Sequence, residues 1–224
     1  MKKVIGENSL KHINFLQKGY STSKSVACIE IGSIRQGTGF LISQNILITN
    51  HHVLPDIQAV KDCIVKFNYQ FDENNNESEV EVFSSKINGI YYSNEEYDYA
   101  IVELENTPGD KWNYISLDKT CSISQDERVN IIQHPVGLPK QISMQNNFVE
   151  YVNSNIIQYL TTTMTGASGS PVFNDNWQLV AIHHAGGFIV EPKSQRYYFR
   201  NEGILIQSII NDLPKSIKNI LQNG

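Results

Sequence analysis

The feature that most constrains this chain is a succession of short apolar runs, rich in β-branched and aromatic residues and broken by turn residues. They read as strands at Val26–Ile31, Gly37–Ser43, Ile46–Thr49, Ile64–Tyr69, Glu79–Phe83, Gly89–Tyr92 and Tyr99–Leu104. A second series reads Arg128–Gln133, Lys140–Met144, Asn147–Val152, Ile156–Leu160, Pro171–Phe173, Leu179–His183 and Tyr197–Arg200. Short strands at such close spacing predict an all-β sandwich or barrel. The interval Glu105–Ser124 divides them into two similar halves. In the tail the period changes. Ile206, Ile209, Ile210, Leu213, Ile217, Ile220 and Leu221 recur at helical spacing, which predicts a helix packing its apolar stripe on the barrels. Pro214 should kink or divide it; a partner-binding helix is the rival reading. The expected organisation is an extension over 1–24, a first barrel over 25–115, a second over 116–203 and a C-terminal helix over 204–224.

Composition narrows the function classes. Of 224 residues, 40% are hydrophobic and 18% charged, a globular balance rather than a disordered one. The net charge of −5, without a dense basic block, argues against nucleic acid or an anionic membrane as the main partner. No apolar run approaches the roughly 20 residues of a membrane helix. The start, Met1–Asn8, has two lysines but no apolar stretch behind them, unlike a secretory signal. Cys28, Cys63 and Cys121 are scattered and form no CxxC, so buried reduced thiols in a cytoplasmic protein are expected. The acidic stretch Phe71–Glu79 reads as a solvated loop, not a metal site.

Three stretches could carry chemistry. In Ile46-Leu47-Ile48-Thr49-Asn50-His51-His52-Val53 a strand ends and delivers a histidine. In Tyr97-Asp98-Tyr99-Ala100-Ile101-Val102-Glu103-Leu104 an aspartate begins an apolar strand. In Thr165-Gly166-Ala167-Ser168-Gly169-Ser170-Pro171-Val172 a serine between glycines leads into a strand. Glycine allows the tight elbow that exposes the serine and aims backbone N–H groups at one point. Each stretch alone has a structural explanation: a strand-end histidine, a turn aspartate, a glycine turn. Together they supply a nucleophile, a base to take its proton and an acid to fix the base's tautomer. The first two lie in the first half and the serine in the second, so a cleft between two barrels would join them.

At these three motifs the sequence resembles the trypsin-like (chymotrypsin-fold) serine peptidases, and bacterial, disulfide-free members including the glutamyl-endopeptidase branch in particular. Ile132-Gln133-His134-Pro135 and Val180–Gly187 also look like intracellular bacterial peptidase domains of that superfamily. The resemblance implies two six-stranded antiparallel β-barrels packed face to face, with the active site between them and a C-terminal helix. It implies His52 as general base with His51 as its neighbour, Asp98 as its orienting acid and Ser168 as nucleophile. The backbone N–H groups of Gly166 and Ser168 would form the oxyanion hole. Ala167 stands where animal trypsins carry an aspartate that pairs with a freed amino terminus, so that zymogen switch is not expected. Val4-Ile5-Gly6-Glu7-Asn8 resembles the mature start of some glutamyl endopeptidases.

The same alignment lines the specificity pocket with Thr162, Thr163, His183, His184, Ala185 and Gly186. Thr162 replaces the aspartate that gives trypsins their basic preference. In the glutamyl branch a threonine and a histidine at the positions of Thr163 and His183 hold the substrate carboxylate, which implies cleavage after Glu or Asp. The rival is a satisfied core His183 and a pocket for small or apolar side chains. No zinc is expected: neighbours on a strand point to opposite faces, so neither His51–His52 nor His183–His184 chelates readily. His134-Pro135 reads as a turn, with shaping of the cleft as the alternative, and Gly186-Gly187 as a strand edge open to an extended peptide. The expected activity is therefore a serine endopeptidase with no cofactor and with protein or peptide substrates. The alternatives are a latent or regulated effector with one partner-protein substrate, and a non-catalytic peptide-binding barrel.

Overall fold

The computed structural model describes residues 10–32, 35–119 and 121–223; the motif at Val4–Asn8 lies outside them. A helix, α1 (Asn14–Ser23), opens the described chain where only an extension was expected. The first β unit follows as β1 (Val26–Ile31), β2 (Arg35–Leu41), β3 (Ile46–Thr49), a short helix α2 (Ile57–Lys61), β4 (Cys63–Phe67), β5 (Glu81–Ser84), β6 (Tyr91–Asn94) and β7 (Tyr99–Glu103). A turn of helix, α3 (Gly109–Trp112), leads towards β8 (Val129–Gln133), β9 (Gln141–Ser143), β10 (Val149–Val152), β11 (Ile156–Tyr159), β12 (Pro171–Asn174), β13 (Leu179–Glu191) and β14 (Arg196–Leu205). The tail forms two helices, α4 (Ile206–Asp212) and α5 (Lys215–Asn223), divided at Pro214, which cannot continue a helical ladder.

The strands pair as two antiparallel sheets in the orders β5-β4-β1-β2-β3-β7-β6 and β10-β11-β14-β13-β12-β8-β9. Each sheet has seven strands rather than the six that the family resemblance implied, because every apolar run in each half finds a ladder partner. The ends of each sheet curl together. A bridge between Ser85 and Leu104 brings the end of β5 to β7, and one between Arg128 and Phe148 joins the approaches to β8 and β10.

Period-2 alternation explains why several strands are apolar on both faces. Ala27, Leu41, Leu47 and Val102 point into the first unit's core. Their neighbours Val26, Phe40, Ile48 and Ile101 point the other way, into a cluster shared with Ile132, Phe173 and Ile182 of the second sheet. Ile131, Val172 and Ala181 fill the second unit's own core. The same shared cluster takes Ile206, Ile209, Leu213 and Ile217, so the tail packs its stripe on the β units as its periodicity predicts. Tyr99 Oη (2.5 Å) and Asn94 Nδ2 (2.8 Å) both donate to Asp212 Oδ2, tying α4 to the first unit. Helix α1 packs Phe15 against Trp177 of the same shared cluster, at a centroid distance of 5.0 Å. No helix among the described residues is long and apolar enough to cross a membrane.

Candidate active site

The elbow that carries Ser168 is built by backbone geometry. Gly166 (φ +91°) and Gly169 (φ +85°) sit where side chains are disfavoured, and a Cβ on Gly169 would lie 2.0 Å from the Thr38 carbonyl. Thr38 on β2 stitches this loop to the opposite unit. Its N–H donates to the Ser168 carbonyl (2.8 Å) and its hydroxyl to the Gly166 carbonyl (2.9 Å). The Thr38 hydroxyl in turn accepts from the His134 N–H (3.0 Å). The His134-Pro135 turn therefore braces the elbow: Val136 N–H donates to the Thr165 carbonyl. No acceptor among the described residues takes the N–H of Gly166 or of Ser168.

β3 ends at Thr49, and the following turn brings His52, not His51, to Asp98. The His52 Nδ1 lies 2.8 Å and 3.0 Å from the two Asp98 carboxylate oxygens, and the His52 backbone N–H also donates to Oδ1 (3.0 Å). Asp98 is held at φ +42°, a left-handed conformation, with its carbonyl accepting from Asn50 Nδ2 (2.7 Å). Burial alone would raise the Asp98 carboxyl. Hydrogen bonds from His184, from the His52 ring and from the His52 N–H outweigh it and hold the group well below the usual carboxylate range. His52 makes no hydrogen bond to the Ser168 hydroxyl, although both line one cleft of about 790 Å³. Such contacts often tighten only when substrate is bound.

That cleft is also lined by Gly166 and by all six residues expected in the specificity pocket: Thr162, Thr163, His183, His184, Ala185 and Gly186. Three further lining residues come from β14 and were not legible in the motifs: Phe199, Arg200 and Asn201. Asn201 pairs with Gly186 across the β13–β14 ladder. Its amide donates to the Thr161 carbonyl (2.6 Å), and its oxygen accepts from the Thr163 hydroxyl (2.7 Å). His183 is buried, with Nδ1 2.9 Å from the Tyr159 hydroxyl. Burial, then the neighbouring His184 charge, push its pKa down to about 3 despite a hydrogen bond to the Glu202 carbonyl, so it is neutral.

The β13–β14 register shifts between His183 and Ala185, and the two rings take different partners: His183 the Tyr159 hydroxyl in the second unit, His184 the carboxylates of Asp98 and Glu202. No group of three or more His, Cys, Asp or Glu among the described residues is placed to hold a metal. Cys28, Cys63 and Cys121 are free thiols, and burial pushes Cys28 and Cys63 up to about 12, far from reactive.

A family model described as a trypsin-like peptidase domain matches residues 37–182, which span Thr38, His52, Asp98 and Ser168. The chain belongs to the trypsin-like peptidase family. Among solved structures, a Glu endopeptidase in complex with MPD matches with a TM-score of 0.61 and 20% identity, over 84% of this chain and 89% of that one. Deg5 matches with a TM-score of 0.64 and 18% identity, over 88% and 90%. These support the chymotrypsin-like fold. Among curated relatives, the uncharacterized protein y4fB of Sinorhizobium fredii is 33% identical over 96% of this chain and 39% of its own length. The secreted RxLR effector protein 73 of Plasmopara viticola is 33% identical over 67% of this chain and 41% of its own length. The chain thus spans about two fifths of the length of these relatives.

Proposed function

We propose that this trypsin-like peptidase domain is a serine endopeptidase in which Ser168 is the nucleophile, His52 the general base and Asp98 the group that orients it. The observation that carries the reading is the clasp of His52 Nδ1 by Asp98, which leaves Nε2 towards the cleft that Ser168 shares. His52 takes the Ser168 proton as Oγ attacks the peptide carbonyl, and Asp98 stabilises the imidazolium that forms. The unpaired N–H groups of Gly166 and Ser168 receive the oxyanion. His52 then protonates the leaving amine, and water repeats the sequence on the acyl-enzyme. The free thiols suit a reducing compartment such as the cytoplasm.

For the residue before the scissile bond, two readings divide on one network. Thr163 and His183 both line the cleft, as a preference for Glu or Asp requires. A structural neighbour is named as a Glu endopeptidase. Against it, the Thr163 hydroxyl already donates to Asn201, and His183 is neutral and bonded to Tyr159. An acidic side chain must draw Thr163 or His183 away from these partners; a small uncharged one leaves them in place. Digestion of a proteome-derived peptide library, read by mass spectrometry with Ser168→Ala alongside, tests both levels. Cuts that vanish in the variant support the peptidase, and the residue preceding them selects the pocket reading. A fluorophosphonate probe that labels neither Ser168 nor any other residue, with no Ser168-dependent cut, would leave a groove that only binds peptides.

A further inference from the structure

Asp98 is gripped from two sides, and only one side belongs to the proposed triad. On the far side His184 Nδ1 lies 3.3 Å from Asp98 Oδ2. The other nitrogen of the same ring, Nε2, lies 2.9 Å from Glu202 Oε1. The second Glu202 oxygen accepts from Gln158 Nε2 (2.7 Å), whose own carbonyl oxygen faces the Arg200 guanidinium at 3.4 Å. The β13–β14 bulge falls at this row, with Ala185 taking the register opposite Glu202 and His184 lying between Glu202 and Asp98. His184 and Glu202 are only 20% and 13% exposed at their side chains, so the pair is shielded from solvent.

Resting on the peptidase reading above, we propose that His184 and Glu202 form a charged second arm of the triad that positions Asp98 and sets the pH range over which His52 can act as base. A ring between two carboxylates can donate to both only when both its nitrogens carry protons. Burial works against that charge, but the hydrogen bonds to Asp98 and Glu202 and their charges outweigh it and raise His184 to about 9. The charged groups facing His184 are Asp98 from the turn before β7 and Glu202 from β14. His52 lies across the carboxylate, and the neutral His183 precedes it on β13. A cation on one side of Asp98 weakens the pull of that carboxylate on a proton at His52. Above its own pKa, His184 can donate to only one carboxylate, and the other loses a buried partner.

The test compares His184→Ser, which keeps a small hydrogen-bond donor without charge, and Glu202→Gln, which keeps an acceptor without charge. Both are read as pH profiles of kcat/KM on the best library peptide. In parallel, the His52 and His184 rings are titrated by NMR in a Ser168→Ala background, which needs no turnover. In His184→Ser the acid limb and the His52 titration should move up by about half to one pH unit. The alkaline limb near the His184 pKa should disappear. In Glu202→Gln that limb should fall by about one unit, and kcat should drop roughly tenfold with KM little changed, as expected for lost positioning rather than lost substrate contact. Superposable profiles and unmoved ring titrations in both variants would overturn the proposal. Failure of fluorophosphonate to label wild-type Ser168 would instead count against the peptidase reading, while the ring titrations would still decide the arrangement around Asp98.

Discussion

At the scale of single residues, the proposed chemistry turns on how Asp98 is presented. A positive φ is tolerated by Asp and Asn better than by other non-glycine residues. Asp98→Asn should therefore keep the backbone at φ +42° and the fold with it. The amide cannot hold the His52 tautomer, however, and its NH2 would face a ring nitrogen that must donate. We expect kcat to fall by about 10⁴ with the fold intact by circular dichroism, the size of loss that this substitution brings in comparable triads. Retention of wild-type kcat would remove Asp98 from the mechanism. The histidines show what a sequence can and cannot state. The pairing of His52 with Asp98 was legible because a strand end, a following Val and the downstream Asp and Ser motifs converged on it. The place of His184 was not, because its partners Asp98 and Glu202 are reached only through the tertiary fold. The bulge beside it depends on pairing with β14, which no local motif encodes. Asn201 and Glu202 escaped for the same reason: they matter through the strand opposite them.

At the scale of elements, the serine elbow is held both by hydrogen bonds, its own and those from Thr38, and by close approach. Gly169 leaves no room for a side chain: a Cβ there would lie 2.0 Å from the Thr38 carbonyl and 2.2 Å from Thr49 Oγ1. The first obstacle is backbone, which cannot rotate away. Gly169→Ala should destabilise the protein by at least about 2–3 kcal/mol, from strain at positive φ plus overpacking. It should also abolish fluorophosphonate labelling of Ser168 even in molecules that remain folded, because Thr38 would be pushed off the Ser168 and Gly166 carbonyls. Chemical denaturation together with labelling checks this; an unchanged midpoint with normal labelling would show that the elbow is more pliable than its contacts require. The strands themselves were the most legible elements. Those at Val26–Ile31 and Ile46–Thr49 have the limits read from their β-branched runs. Helix α1 was not legible, since Asn14–Ser23 has little apolar periodicity and is held by tertiary contacts, with Phe15 and Gly19 against the Trp177 ring. The reach of β13 to Glu191 was also missed: beyond His183 the strand is glycine-rich, and its continuation is stabilised by pairing with β14.

At the scale of the whole molecule, two buried histidines tie stability to pH. His134 is fully buried, stacked on Tyr69 with ring centroids 5.9 Å apart, and bonds the Leu138 carbonyl through Nδ1 (3.0 Å). Burial, then the nearby Lys140 charge, push its pKa down to about 3. His183 is likewise pushed down to about 3, first by burial. Both are neutral in the folded state, whereas in the unfolded chain each takes a proton near pH 6.5. The unfolded state thus binds more protons below that pH, and stability must fall as pH drops from about 6.5 towards 3. Two protons give a slope of about 2.7 kcal/mol per pH unit across the middle of that window. His184 acts in the opposite sense. Its pKa is raised to about 9, so its contribution is complete below pH 6.5 and is lost as pH rises through 9. Stability should therefore decline on the acid side, while on the alkaline side the loss through His184 is opposed by Lys140, which burial pushes down to about 7 and whose cost is relieved as pH rises. Denaturant unfolding from pH 4 to 9.5 measures both slopes. His134→Asn should roughly halve the acid slope, and His184→Ser should leave stability rising with pH above neutrality, because only the Lys140 contribution remains there. An acid slope that His134→Asn leaves unchanged would mean that His134 opens to solvent and titrates before the fold is lost. The turn bracing the elbow under Ser168 would then be a point of local opening rather than part of the rigid frame between the two sheets.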